Sequence, residues 1–237
     1  MMKRFFVIAL FVLGFGQLYA QPVRDTAWTK AGYFGLKLTQ VSLSSWSAGG
    51  ESALAFDSQI TYSADFKRDR QLWQNRLELG YGLTKNDGKS ARKTNDKIYF
   101  ASTYGYQIYK TLYWSALLNF NTQFAKGYDY NIEDSDFISK FMAPGYLMIG
   151  TGVTWSPNKI FTATFTPASW RGTIVADSRL SDEGAFGVDK GKHLLSEFGA
   201  NLKAEVNYEF LPNMKVYSRL ELYSNYLKDP QNIDVRW

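Results

Sequence analysis

The sequence has no cysteine and only one histidine, His193. Without cysteine the chain can form no disulfide, so its stability must come from hydrogen bonds and packing. Beyond the amino terminus it has no run of about 18 apolar residues, which excludes helical membrane spans. It also has no dense basic stripe with interleaved aromatic residues, and we therefore predict no nucleic-acid partner.

The first 20 residues have the pattern of a cleaved secretory signal peptide. Lys3 and Arg4 form a short positive region, and an apolar run follows them. A plausible cleavage site ends at Ala20, and the apolar run is too short for a spanning helix with these flanks. We therefore predict a signal peptide over 1–20 and export of the remaining chain.

The clearest structural pattern is an alternation of apolar and polar residues between Glu197 and Phe210. One face carries Phe198, Ala200, Leu202, Ala204, Val206, Tyr208 and Phe210. The opposite face carries Glu197, Gly199, Asn201, Lys203, Glu205, Asn207 and Glu209. A period of two predicts a β-strand. An apolar and a charged face over a membrane-spanning length are typical of transmembrane β-barrels, and the aromatic content of 17% agrees with aromatic girdles at two membrane interfaces.

The same kind of pattern predicts nine full strands along the chain. They are residues 33–43, 54–66, 73–83, 97–109, 112–124, 146–155, 160–166, 197–210 and 214–226. A tenth strand has only 232–237 available, which is shorter than the roughly 9–11 residues of a tilted spanning strand. We predict an all-β fold, an antiparallel up-and-down transmembrane β-barrel of about ten strands over 33–237, preceded by a periplasmic segment at 21–32. Its closing strand is short or missing, and we expect the natural chain to continue past Trp237.

The predicted connections alternate between long and short. The long ones are 44–52, 84–96, 125–145 and 167–196, and the short ones are 67–71, 110–111, 156–159 and 211–213. Outer-membrane barrels have short periplasmic turns and longer extracellular loops. The alternation therefore predicts an outer-membrane location with the mature amino terminus in the periplasm.

Several segments resemble an uncharacterised family of Bacteroidota, the domain of unknown function 3078. They are 92–96 (RKTND), 102–106 (STYGY), 119–124 (NFNTQF), 143–147 (APGYL), 184–188 (GAFGV), 223–226 (YSNY) and 233–237 (IDVRW). The resemblance covers most of residues 90–237. It implies an exported outer-membrane protein, and it brings no known activity, ligand or catalytic residue.

The single histidine raises the question of hydrolytic chemistry. Ser181, Asp189 and Ser196 are near His193 in sequence, and outer-membrane lipid hydrolases use serine–histidine pairs. Catalysis requires the base to be within hydrogen-bond reach of the serine and to be oriented by a third group. Nothing in the sequence fixes that geometry. We predict a solvated loop histidine, no catalytic residue and no enzyme, with a lipid hydrolase as the alternative.

One predicted loop is acidic. Its oxygen-bearing residues are Asp129, Asn131, Glu133, Asp134 and Asp136. Alternating oxygen ligands resemble the start of a calcium loop, but Asp134 stands where the glycine belongs and Lys140 where the twelfth-position glutamate belongs. We predict a solvated loop, no metal site and no cofactor.

The polar faces of the strands carry charges of both signs. The residues are Arg76, Glu78, Lys203, Glu205, Glu209, Lys215, Arg219 and Glu221. We predict that they form a network of ion pairs that fills the lumen. The alternative is a selectivity ring, in which charged side chains select the ions that pass. Trp46, Gly49-Gly50, Trp170 and the segment 184–187 are predicted to be interface anchors and packed loops.

These patterns predict a structural or binding barrel that acts through its long loops. Its partners would be outer-membrane lipid and an unidentified ligand or protein at the loops. The lumen of a barrel of this size is narrow, because about eight strands are just filled by side chains and open porins need about 16–18, so a general diffusion pore is not expected. Two alternatives stay open: a narrow channel, and a soluble periplasmic lipocalin-like barrel with apolar residues inside.

Overall fold

The computed structural model describes residues 27–43, 50–132, 135–158, 160–212 and 214–237. The predicted signal peptide and the first half of the predicted periplasmic segment, 21–26, lie outside these ranges. Within them, no helix combines the length and the apolar character needed to cross a membrane.

The dominant element is a single antiparallel sheet of ten strands that follow one another in chain order. Across the sheet the strands are β1 (Trp28–Val41), β2 (Ala53–Arg68), β3 (Gln71–Asn86), β4 (Arg92–Tyr109), β5 (Leu112–Thr122), β8 (Gly145–Trp155), β9 (Phe161–Ile174), β10 (Leu194–Leu211), β11 (Met214–Asn225) and β12 (Ile233–Arg236). Each of the nine predicted strands corresponds to one of these, and β12 occupies the short tenth segment. The all-β, antiparallel part of the prediction is confirmed.

The sheet is not closed into a barrel. Among the described residues β1 pairs only with β2, and β12 pairs only with β11. The physical reason is the length of the last strand, because four residues of β12 cannot match the 14 residues of β1. The predicted closure is therefore absent from this structure.

The first strand starts earlier than predicted. β1 begins at Trp28, five residues before Tyr33. The Trp28 ring lies 5.3 Å from that of Phe66 and 5.7 Å from that of Trp73, between ring centroids. This aromatic packing holds the start of β1 against β2 and β3.

The seventh predicted strand is longer than expected. The prediction ended it at Thr166 because a proline follows, whereas β9 continues to Ile174. The pairing register shifts around Pro167 on both sides of β9, which places the proline in a β-bulge. A bulge tolerates a residue without an N–H donor. A Cβ on Gly152 would lie 2.0 Å from the Phe165 carbonyl oxygen, so the bulge also requires a glycine on β8.

A second glycine allows a close approach on the next pair of strands. A Cβ on Gly199 in β10 would lie 2.0 Å from the Ser224 carbonyl oxygen of β11 and 2.9 Å from Cζ of Tyr223. Real side chains do not tolerate such distances, so the Tyr223 ring can occupy this place only opposite a glycine.

The connections alternate between the two ends of the sheet, as predicted. The longest ones, 123–144 and 175–193, lie at the same end, and the two-residue turns 69–70 and 110–111 lie at the other. The predicted loop 84–96 shortens to 87–91, because β3 and β4 extend further than their patterns indicated.

The two longest connections contain the remaining elements. A short hairpin forms from β6 (Gly127–Tyr128) and β7 (Phe137–Ser139) in the first connection. The second connection contains helix α1 (Ser178–Glu183) and a 3-10 turn at Ala185–Gly187. We call the described parts of 123–144 and 175–193 together the loop cap.

The distribution of apolar side chains is the reverse of that in a water-soluble sheet. Among the described residues the buried hydrophobic ones are Leu117, Ala143, Val175, Leu180, Val188 and Tyr223. Four of these six form one cluster in the loop cap. Large apolar side chains on the strands, such as Phe34 (65% exposed) and Phe198 (51% exposed), have no protein covering them. The sheet therefore has almost no apolar core of its own.

Candidate binding surface on the polar face of the sheet

The sheet is curved, and its polar face is the concave one. Arg171 of β9 reaches Asp234 of β12 across two intervening strands, with Nη1 to Oδ2 at 3.0 Å. Residues from β4 at one side and from β11 at the other line a common cleft of about 940 Å³. Lys97 and Tyr99 come from β4, and Arg219 comes from β11. These strands are not neighbours in the sheet, so only curvature brings the three side chains together.

The charges on β3 and β4 pair within the concave face. The Arg76 guanidinium lies 2.5 Å from Glu78 Oε1, and the Lys97 ammonium binds the other oxygen of the same carboxylate. The Glu78 side chain is 12% exposed, so its two cations replace most of the water that it has lost.

The most buried ion pair on this face belongs to Arg171. Its guanidinium donates two parallel hydrogen bonds to Glu197, at 2.8 and 2.9 Å. Asn225 Nδ2 donates to the same carboxylate at 3.0 Å. The Arg171 guanidinium also lies 3.9 Å above the centre of the Tyr223 ring. Such a two-pronged pair fixes the geometry of both side chains.

A third cluster is centred on Glu205. Lys203 lies 3.3 Å and Arg219 3.7 Å from its carboxylate oxygens, and the Tyr217 hydroxyl donates to it at 2.9 Å. Lys215 pairs with Glu209 at 3.4 Å. The predicted pairing is therefore present for seven of the eight charged residues. The eighth, Glu221, accepts a hydrogen bond from Asn201 at 2.9 Å.

Sequence reasoning missed four charged members of this network: Lys97, Arg171, Glu197 and Asp234. Arg171 lay in a predicted loop, because the strand was ended at the proline before it. Glu197 was placed on the correct face of its strand, but no partner could be assigned to it. The alternation changes phase at Pro167: Thr164 and Thr166 lie on the polar face before the proline, and Ser169 and Arg171 lie on it afterwards. An unbroken alternation would therefore have placed Arg171 on the apolar face, and only knowledge of the bulge could have located it.

The histidine and its neighbouring serines do not form a catalytic arrangement. His193 is exposed, and its Nδ1 lies 2.7 Å from the Val175 carbonyl oxygen. Ser181 is buried and donates to the Lys192 carbonyl at 2.7 Å. No hydrogen bond joins His193 to a serine among the described residues. The lipid-hydrolase alternative gains no geometric support.

The acidic loop uses its first aspartate for local structure. Asp129 Oδ1 accepts from the Asn131 backbone N–H at 3.0 Å, and Ser135 donates to the Asp129 carbonyl at 2.9 Å. Glu133 and Asp134 lie outside the described residues. Within the described ranges, no group of three or more carboxylate, histidine or cysteine side chains could hold a metal ion.

The loop cap has a small apolar core of its own. Ala143, Val175, Leu180 and Val188 form its buried centre, and four partly buried residues pack around it: Phe137, Ala185, Phe186 and Leu195. The predicted packed loop at 184–187 is thus part of this core. Of the other predicted anchors, Trp46 and Gly49 lie outside the described residues, and Trp170 lies within β9 rather than in a loop.

Asp177 organises the helix of the loop cap. Its Oδ1 accepts from the Leu180 backbone N–H at 3.0 Å and so caps α1. The Lys140 ammonium lies 2.5 Å from its other oxygen. The hydrogen bond from Lys140 lowers the pKa of the Asp177 carboxyl, and the hydrogen bond from the Leu180 backbone acts in the same direction. This pair joins the two connections that form the cap.

Comparison with known proteins identifies one related family. Residues 38–128 match a family described as "Protein of unknown function (DUF3078)". The matched segment runs from the end of β1 to β6 and includes 92–96, 102–106 and 119–124. No curated protein and no solved structure matches the chain. Strands β2 to β5 are thus similar to a domain of unknown function, and the later segments that resemble the same family lie outside the matched range.

Proposed function

We propose that this chain is an outer-membrane β-barrel protein with a structural or binding role. Its convex apolar face contacts membrane lipid, its concave polar face lines the interior, and its long connections face a ligand or protein. The proposal includes export through the signal peptide over 1–20. It includes no nucleic-acid partner and no enzymatic activity.

One observation carries the proposal: the polar face is concave and the apolar face is convex. The pair of β10 and β11 illustrates this arrangement. Leu202 lies opposite Leu222, and Ala204 opposite Leu220, on the convex side. Lys203, next to Leu202, lies on the side that forms the ion pairs. Exposed leucine, phenylalanine and tyrosine side chains over a whole face are unfavourable in water and favourable in lipid.

The same observation weighs against the soluble lipocalin-like alternative. A barrel that binds a hydrophobic ligand needs apolar residues on its inner face. The inner face here holds ion pairs such as Arg171–Glu197, with side chains 18% and 14% exposed. An apolar ligand would leave these charges without water and without new partners.

The narrow channel is the second candidate for the interior. Most charges on the concave face are paired with an opposite charge on the same face, which favours a network that holds the strands together over a selectivity ring. Single-channel conductance in planar bilayers separates the two functions. A binding or structural barrel gives no discrete conductance steps, whereas a channel gives steps of reproducible size.

The experiment that tests the membrane proposal is fractionation followed by heat modification. The full-length chain is expressed in a bacterium with an outer membrane, extracted in detergent and compared boiled and unboiled on a denaturing gel. We expect recovery in the outer-membrane fraction and a faster-moving unboiled band, because closed barrels resist detergent denaturation. A chain recovered in the soluble periplasm without detergent would overturn the proposal.

A further inference from the structure

The cleft on the concave face extends from the start of β11, where Val216 and Tyr217 line it, to the end of the sheet that is nearest the loop cap. Asn121 is the next-to-last residue of β5, Tyr146 is the second residue of β8, and Arg171 is three residues before the end of β9. All three strand ends lead into the loop cap. A ligand in the cleft would therefore lie close to the long connections, and the cleft volume of about 940 Å³ is within the range of small-molecule sites.

The cleft is lined by more cations than carboxylates. Four of its lining residues are cations, Lys97, Arg171, Arg219 and Arg236, and Glu221 is its one lining carboxylate. The first three cations have carboxylate partners in the neighbouring ion pairs. Arg236 forms no ion pair with any described residue, although Glu221 lies opposite it in the strand pairing, so the donors of its guanidinium remain available.

A buried hydroxyl lies beside this free cation. Tyr223 is 4% exposed, and its hydroxyl has no hydrogen-bond partner. Tyr223 and Arg236 both line a cavity of about 20 Å³, which shares four lining residues with the large cleft. That volume suits a single water or a single oxygen atom of a ligand. Buried polar groups almost always have a partner, so this hydroxyl requires one.

The carboxylates around the small cavity differ in their partners. Asp234 lies 3.0 Å from Arg171, whereas Glu221 accepts only the Asn201 amide at 2.9 Å and lies opposite Arg236 in the pairing of β11 with β12. Among the described residues, the Arg236 guanidinium and the Tyr223 hydroxyl are the two donors at the cavity that form no hydrogen bond. A hydrogen-bond acceptor with negative charge satisfies both of them.

Other lining groups indicate what else the ligand carries. The side-chain amides of Asn119 and Asn121 line the large cleft and form no hydrogen bond with described residues. Each amide offers both donors and an acceptor, which matches hydroxyl groups. Tyr99, Tyr146 and Tyr217 line the same cleft, and aromatic residues offer flat apolar surfaces.

We propose that the concave cleft binds an acidic, hydroxyl-rich ligand of the sugar-acid or sugar-phosphate class. An anionic oxygen of the ligand enters the small cavity between Arg236 and the Tyr223 hydroxyl. The hydroxyl groups bind Asn119 and Asn121, and the ring of the ligand lies against the aromatic side chains. This inference deepens the binding role proposed above and rests on it.

The test is calorimetric titration of the full-length purified protein with three probes: glucuronate, glucose 6-phosphate and glucose. We expect one or both acids to bind, with weaker binding at high salt because charge is involved. The acid that binds more tightly identifies the anionic group. Binding of neither acid at about 10 mM, or equal binding of glucose, overturns the proposal.

Two substitutions locate the site. Arg236→Gln removes the free charge and is expected to weaken acid binding roughly tenfold or more, as for a lost hydrogen bond to a charged group. Tyr223→Phe keeps the ring that packs against Gly199 and removes only the hydroxyl. We expect it to weaken binding about threefold to tenfold while leaving the unfolding midpoint unchanged or higher, because it removes a buried unpaired group.

The control is Arg68→Gln, an exposed arginine at the opposite end of the sheet that forms no ion pair with a described residue. It should leave acid binding unchanged. If both variants bound the acids as tightly as the unchanged protein does, the cavity would hold water only. That result would overturn the proposal. Fractionation is measured on the same preparations, so a soluble chain that still binds acids contradicts only the membrane proposal.

Discussion

The sheet and the loop cap place their apolar and charged side chains in opposite ways. In the cap, Val175 and Leu180 are buried at 0% and 2% exposure, and charged residues such as Arg179 and Glu183 pair at the outside. In the sheet, charged pairs occupy the concave interior, and large apolar side chains form the convex outside. One chain thus follows two opposite rules of burial.

The contrast agrees with the proposal that the two regions meet two different solvents. A cluster with an apolar centre and a polar surface is stable in water. A sheet with a polar centre and an apolar surface gains nothing from water, but it gains from lipid on its outer face. Four substitutions or conditions test this contrast, starting with the largest expected effect.

Replacing Arg171 with methionine tests the polar interior of the sheet. The change leaves the Glu197 carboxylate, 14% exposed, without its main partner, and Asp234 loses its cation as well. We expect the free energy of unfolding to fall by about 3–5 kcal/mol, as for a broken buried pair. Denaturant unfolding in detergent, followed by tryptophan fluorescence, measures the change.

The matched control is Arg76→Met, whose side chain is 56% exposed in its pair with Glu78. Glu78 keeps Lys97 as its second cation, and the exposed arginine contributes about 0–1 kcal/mol, so this variant should unfold close to the unchanged protein. If both variants lost the same small amount, the interior ion pairs would not be what stabilises the concave face.

The convex face is tested by Leu202→Arg. Leu202 is 38% exposed and lies in the middle of β10, opposite Leu222. In lipid the arginine should destabilise the folded state by about 2–4 kcal/mol, because the charge must leave water. Yield in the outer-membrane fraction and the heat-modified band measure the effect.

Asn207→Arg is the comparison for that substitution. Asn207 lies on the same strand, on the face that carries Glu205, and is exposed. It should change stability by no more than about 0.5 kcal/mol, as an ordinary exposed position does. Equal tolerance of arginine at both positions would indicate that water covers both faces.

The apolar core of the loop cap is tested by Leu180→Ala. Removing most of a buried leucine from a small cluster should cost about 2–3 kcal/mol of local stability. Hydrogen exchange at α1 should accelerate, while the amides of β10 and β11 keep their protection. Ile138→Ala, at a position in β7 that is 53% exposed, should leave both rates almost unchanged. Faster exchange in the sheet as well would mean that the two regions unfold as one unit.

The smallest effect is a pH dependence confined to the loop cap. The pKa of Asp177 is lowered in the folded state by the hydrogen bond from Lys140, so the unfolded chain binds a proton more readily. The stabilisation is therefore complete above the ordinary aspartate pKa of about 3.9 and is lost as the pH falls through the lowered value. Exchange at α1 should accelerate on acidification in the unchanged protein. In Asp177→Asn, which keeps a capping side chain, it should accelerate less.

The strands were predictable because apolar and polar residues alternate along them. In β10 the alternation runs without a break from Glu197 to Phe210, so sequence alone places every side chain on its face. The paired charges at Glu205, Lys203 and Arg219 could be expected once those faces were known. Ion pairs that span strands, such as Arg171 with Asp234, could not be expected, because they depend on the curvature of the whole sheet.

The loop cap was not predictable in the same way. Its core residues are scattered over two connections, and no short period in the sequence links Ala143 to Leu180. The proline at 167 misled the prediction for a different reason. A proline usually ends a strand, and only the bulge formed with the neighbouring strands lets β9 continue.

Gly199 has a consequence for how the strands find their partners. A slip of one residue would turn the apolar face inward, but a slip of two would keep every side chain on its proper side. Alternation alone therefore cannot distinguish the correct pairing of β10 and β11 from its nearest in-phase error. Such a slip would bring Glu197 or Asn201 to the place where a Cβ would lie 2.0 Å from the Ser224 carbonyl oxygen. Because only a glycine fits at this place, Gly199 excludes the two-residue slips that the alternation alone would permit.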